Sequence, residues 1–177
     1  MRTVIILALG LTLAAPSFAQ QAEMPAKPAA ACAAIDASLP AELKDWNGAA
    51  GISTAPGAEH LMQASLALGK GYEASLLNTP RVAFPAQPEK PGGSVAFAGL
   101  FSFTVREAGN YAVALGSAAW IDVLEDGRAV KPTNFDHGPE CTTIRKIVVF
   151  PLKAGVHALQ VSASGDAKLK LMVARKP

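Results

Sequence analysis

Ser94-Val95-Ala96-Phe97-Ala98-Gly99-Leu100-Phe101-Ser102-Phe103-Thr104-Val105 carries apolar residues at Val95, Phe97, Phe101, Phe103 and Val105, with small or polar ones at Ser94, Ala96, Ala98, Ser102 and Thr104. Successive side chains of a β-strand point to opposite faces, so this alternation describes a strand with one face turned to a core. The pattern recurs downstream. Glu107 to Asn110 form a turn into Tyr111 to Leu115, where Tyr111, Val113 and Leu115 alternate with Ala112 and Ala114. Trp120 to Leu124 reads as the next strand, and Asp126-Gly127 is a tight hairpin signal leading into Arg128 to Val130. Ile144 to Phe150 is rich in β-branched residues and should stop at Pro151. Gly155 turns the chain into Val156 to Ala163, and Ser164 to Asp166 turn it again into Lys168 to Ala174.

Upstream the signals are weaker. Strands are expected at Leu61 to Leu66 and Tyr72 to Leu77, followed by a long connection from Asn78 to Gly93 that holds four prolines. Ala49 to His60, rich in glycine and alanine, reads as loop. Before it, Leu39, Leu43 and Trp46 fall on one face of a short helix that Ser38 can cap, with Pro40 tolerated in the first turn and Asn47-Gly48 ending it. Trp46 on that face is expected to be a packing anchor rather than a ligand platform. About eight short strands with turn chemistry between them, and almost no helix, predict an all-β fold: a single antiparallel β-sandwich with a short N-terminal helix.

The N-terminus sets the compartment. Arg2 precedes an apolar run from Val4 to Ala15, and Ser17-Phe18-Ala19 presents small residues where a signal peptidase cuts. The run is short of the roughly 20 apolar residues that span a bilayer. The expected organisation is a signal peptide over 1–19, an Ala/Pro-rich leader over 20–36 and a β-sandwich domain over 37–177. This makes the mature protein periplasmic or secreted, with no membrane insertion after cleavage. The chain has 16 basic and 14 acidic residues, scattered along its length. Such a balance builds no global field, which argues against a nucleic-acid partner. Cys32 and Cys141 are the only cysteines. An isolated pair in an oxidising compartment is expected to form a disulfide.

Phe103-Thr104-Val105 with Gly109-Asn110-Tyr111, Ile121-Asp122-Val123 with Asp126-Gly127, and Leu152 to His157 with Leu159 and Val161 resemble the jelly-roll modules of bacterial surface and carbohydrate-active proteins. These include protective-antigen-type and carbohydrate-binding domains. The resemblance covers the second half of the chain and implies a jelly-roll-like sandwich that binds a glycan or an envelope polymer. It carries over a fold and not a site, because the metal-binding loops of those families have no counterpart here. A second resemblance, to small exported Ala-rich chains described as homogentisate-dioxygenase-like, implies a non-haem iron oxygenase. That chemistry wants two histidines and a carboxylate around an open face. His60, His137 and His157 are the only histidines, and none has a histidine or carboxylate two residues on. No G-x-S-x-G elbow, phosphate-cradling loop or histidine-flanked cysteine is present either. The chemistry therefore leans away from an enzyme and implies no cofactor.

Binding is the remaining class. Sugar recognition uses an aromatic ring with carboxylates, amides or arginine nearby. Trp120 and Asp122 share one face of their strand, opposite Ala119, Ile121 and Val123. If the apolar set faces the core, Trp120 stands outside beside a carboxylate; the alternative is a Trp120 buried across a twisted strand. Asp136, His137 and Arg145 lie in or after the following loop and are expected to rim the same area. The small residues of Ser94 to Thr104, with Ala112 and Ala114, would then leave a shallow platform around the ring.

Overall fold

A computed structural model describes Cys32 and residues 34–177. The expected signal peptide (1–19) and the leader up to residue 31, with residue 33, lie outside the described residues. The strands are β1 (Ala50–Ser53), β2 (Ser65–Leu66), β3 (Gly71–Ser75), β4 (Leu77–Asn78), β5 (Phe97–Val105), β6 (Gly109–Leu115), β7 (Trp120–Glu125), β8 (Arg128–Ala129), β9 (Asn134–Asp136), β10 (Lys146–Leu152), β11 (Gly155–Ser164) and β12 (Lys168–Arg175). They form two six-stranded sheets. One runs β1-β3-β12-β6-β10-β9; the other runs β2-β5-β11-β7-β8, with β4 also paired to β5. The protein is all-β and sandwich-like, as the alternation requires.

Alternation built the sandwich. Phe101, Phe103 and Val105 of β5, Ile121 and Val123 of β7, and Leu159 and Val161 of β11 meet Val113, Val148, Phe150, Leu171 and Val173 from the other sheet in one buried core. Each such side chain contributes about 1.5–3 kcal/mol when fully buried. Asp126 (φ 50°) and Gly127 (φ 75°) both adopt left-handed backbone between β7 and β8. That is the turn whose twist matches a two-residue hairpin, as the Asp-Gly pair predicts.

Several expectations are corrected. The additional strands β1, β4 and β9 are short edge pieces with too few residues to show a period. β1 with β3, and β2 with β5, pair in parallel, so the sandwich is not wholly antiparallel. Ala58–Ala64 is a 3-10 helix, and only Ser65–Leu66 of the expected Leu61 to Leu66 strand is extended. The N-terminal helix is also 3-10 (Ala41–Asn47); Pro40 occupies the N-cap and no side chain caps it, so Ser38 does not serve that role. β10 continues through Pro151 to Leu152. Its pairing with β9 spans only Ile147 to Val149, so the proline lies beyond the stretch where that neighbour needs its amide.

The outer faces of both sheets are partly roofed. Trp46, 0% exposed, packs from the first 3-10 helix with Leu43, Ala114, Ile144, Met172 and Ala174. Its indole donates to Thr143 Oγ1 at 2.8 Å. Thr143 in turn donates from its amide and its hydroxyl to the Asp36 carboxylate at 2.6 and 2.7 Å. Cys32 and Cys141 form a disulfide with Cα atoms 5.4 Å apart. Bridge and carboxylate together fasten the chain ahead of the helix to the loop before β10. On the other sheet, the second 3-10 helix covers Ser102, whose hydroxyl donates to Leu61 O at 2.8 Å. The Pro-rich connection runs alongside it. Ala86 N donates to Gln160 Oε1 at 3.2 Å, and Ser162 Oγ donates to Lys90 O at 2.8 Å. Among the described residues no helix is long and apolar enough to cross a membrane.

Candidate functional site

β7 enters its sheet beside β11, with Trp120 opposite Ser162 and Asp122 opposite Gln160. Ile121 and Val123 are buried in the core, which turns Trp120 and Asp122 outward, both partly buried. Of the two arrangements that alternation leaves open, this is the one with Ile121 and Val123 inside. The ring neither protrudes freely nor enters the core. Its Nε1 donates to Asp122 Oδ1 at 3.0 Å. Lys90, brought by the Pro-rich connection, places its ammonium 4.7 Å from the ring centroid, and Lys146 at the start of β10 places its own at 5.5 Å. Lys146 Nζ also donates to Ala119 O at 2.8 Å.

The charges in this cluster are strained by burial. Desolvation raises the Asp122 pKa; the indole hydrogen bond opposes the rise, and Glu89 adds to it. Gln160 across the ladder and the Lys146 charge also favour the ionised carboxylate, more weakly. Even so, Asp122 Oδ2 and Gln160 Nε2 are both out of solvent without a hydrogen bond of full geometry. Desolvation lowers the Lys146 pKa, Lys90 adds to the fall, and Asp122 counters it. A partly dried ammonium, a second ammonium and one weakened carboxylate therefore share a single indole.

Two adjoining depressions open here. The first, about 340 Å³, is lined by Trp120, Asp122, Glu89, Lys131, Phe135 and Lys146 above apolar residues that include Val148 and Phe150. The second, about 380 Å³, is lined by Asp136, His137 and Arg145 together with Ala118, Ala119, Phe135 and Lys146. Phe135 and Lys146 belong to both. The structure thus brings the five candidate residues Trp120, Asp122, Asp136, His137 and Arg145 to one continuous area. Asp136 Oδ1 accepts the His137 amide at 2.8 Å, which orders that rim.

Sequence reasoning missed Lys90, Lys146 and Phe135. Phe135, 63% exposed, is the one large apolar residue in Thr133-Asn134-Phe135-Asp136-His137, a signal that was available. Lys90 and Lys146 had no local signal, since only the path of the connection and the pairing of β10 aim them at Trp120. The expected platform of small residues is a correction. Ala98 is buried in the main core and Ser102 beneath the second 3-10 helix, while Ala112 and Ala114 belong to the other sheet, with Ala114 packed against Trp46.

The histidines lie apart. His60 is partly exposed and bonded to Glu59, and His137 sits on the rim just described. His157 is 2% exposed, with Nε2 on Lys153 O at 2.9 Å and its ring stacked on Phe103. Among the described residues no three His, Cys, Asp or Glu side chains group so as to hold a metal ion. No family model matches the chain, and no curated protein matches it.

Proposed function

We propose that the chain is an exported, non-enzymatic jelly-roll module that binds a sugar or cell-envelope polymer across the depressions beside Trp120. One observation carries the reading: an outward indole with a carboxylate bonded to it opens onto a second depression lined by Asp136, His137 and Arg145. Apolar surface flanked by a few oriented polar groups is the general form of a small-ligand site. The strand order supports the fold assignment. Without β1, β2, β4 and β9, β3-β12-β6-β10 faces β5-β11-β7-β8, and the chain switches sheets at nearly every step. That interleaving is the pattern of a double Greek key. Export is supported by the N-terminal sequence pattern and by a long-range disulfide, which persists in oxidising compartments.

The test is retention of the purified protein on peptidoglycan and on immobilised glycans, compared with Trp120→Ala and Phe135→Ala. Phe135 is largely exposed, so its variant should melt like the parent, whereas partial burial of Trp120 makes some loss of stability expected there. Retention of the parent, weakened in both variants below their melting points, supports the reading. Failure of the parent to bind, or undiminished binding by both variants, overturns it.

A further inference from the structure

The ring of Trp120 is not available to a neutral sugar in the way a bare aromatic platform would be. Two ammonium groups, from Lys90 and Lys146, lie within cation–π range of it. A neutral pyranose stacking on the indole would have to displace an ammonium and would return nothing to it. A carboxylated pyranose would draw the same ammonium onto its own charge and uncover the ring in one movement.

The cations here are also short of partners. An ammonium carries three donors. Among the described residues the ion pairs join His60 with Glu59, Lys153 with Glu125 and Arg175 with Glu107, and neither Lys90 nor Lys146 takes part. Lys146 has the Ala119 carbonyl as its hydrogen-bond acceptor. Asp122 has committed one oxygen to the indole, and its other oxygen is buried. Glu89 lines the first depression but is exposed, and Asp136 is partly occupied by the His137 amide. Against these acids stand Lys90, Lys131, Lys146 and Arg145, so the area has more cations than anions.

We infer that the ligand of this face is acidic: a glycan bearing carboxylate groups, held by Lys90 and Lys146 beside the Trp120 ring, with Arg145 reachable by a second carboxylate along the same chain. The inference rests on the binding reading above and narrows its ligand class. Charge-assisted contacts of this kind are stronger than neutral ones and weaken as salt is added.

Trigalacturonic acid and its fully methyl-esterified form make the probe pair, since the sugar chain is the same and esterification removes the charges. Binding is measured by calorimetry at two ionic strengths on the parent, on Lys90→Gln, and on the Lys90→Gln/Lys146→Gln double variant. The Lys90 side chain is exposed and its backbone carbonyl, not its ammonium, holds Ser162. Lys90→Gln should therefore melt like the parent. The expected result is at least a tenfold preference of the parent for the acid, reduced several-fold by added salt and by Lys90→Gln, and lost in the double variant. Equal binding of acid and ester overturns the acidic ligand while leaving the glycan reading intact. A preference that survives in the double variant also overturns it, since the charge would then act elsewhere. Absence of binding to both probes, and to every polymer in the retention assay, overturns the two readings together.

Discussion

Replacing Cys32 and Cys141 together by serine should lower the stability of the domain by about 3 kcal/mol. The bridge closes 109 residues. In the chain-entropy relation, a loop of that length restricts the denatured chain by about 4.8 kcal/mol at 25 °C. The folded state of the variant recovers part of this. Without the bridge, the chain ahead of Ala41 is held by the Asp36 amide on Cys141 O and by the two Thr143 bonds to the Asp36 carboxylate. The side-chain bonds are solvent-exposed, so the segment frays locally and regains backbone entropy at about 1–2 kcal/mol per residue freed, offset by the bonds it loses. The net loss then falls into the usual range of about 2–4 kcal/mol. For a domain of this size, the central value of about 3 kcal/mol corresponds to a melting point lower by about 6–12 °C. Urea unfolding followed by tryptophan fluorescence measures it, and the denaturant slope should rise because the uncrosslinked denatured chain exposes more surface. Parent protein under reducing conditions should behave the same way. A double variant melting within about 2 °C of the parent, with an unchanged slope, would refute the reasoning.

Trp46→Ala should cost about 3–5 kcal/mol, because the ring is fully buried beneath the first 3-10 helix; thermal melting checks it. Gly71→Ala should cost about 1–3 kcal/mol, since its Cβ would come within 2.7 Å of the Trp46 carbonyl oxygen and 2.9 Å of that of Asp45, both backbone atoms. Gly51→Ala, where nothing lies within 4 Å, is the control and should be neutral or slightly stabilising in the same melt. Asp122 gives a pH signature. Its folded pKa is raised by burial, so the native state holds this proton to higher pH than the unfolded chain does, and stability falls as pH rises from the unfolded to the folded value. Asp122→Asn should remove that slope and gain on the parent at neutral pH, as melting points from pH 3 to 8 will show; a parallel pair of profiles would contradict it.

The fold class, the paired faces of the strands and the anchoring role of Trp46 were legible from residue order alone. Each of these follows from local period: one face of β5, β7 or β11 had to be buried, and Leu43 and Trp46 had to share a side of the first 3-10 helix. The same period put Trp120 and Asp122 on one face, and burial of Ile121 and Val123 in the core turned that face outward. The sequence also made a disulfide the expectation, since two cysteines leave a single pairing, and the structure has that bond. Edge strands of two to four residues lay beyond this reach, as did the parallel pairs, because so short a segment has no period and takes its conformation from its neighbour. The charge environment of the site came instead from long-range packing. Lys90 arrives on a proline-rich connection whose course is fixed by bonds to Gln160 and Ser162, residues about 70 positions later in the chain. Lys146 and Phe135 arrive through the pairing of β10 and β9 in the opposite sheet. Ala112 and Ala114 looked like neighbours of Trp120 and lie in the other sheet, because a strand's period states which face a residue takes and not which sheet its strand joins. That choice depends on which strands pair across long stretches of chain, and pairing energy is shared between residues that no local window contains.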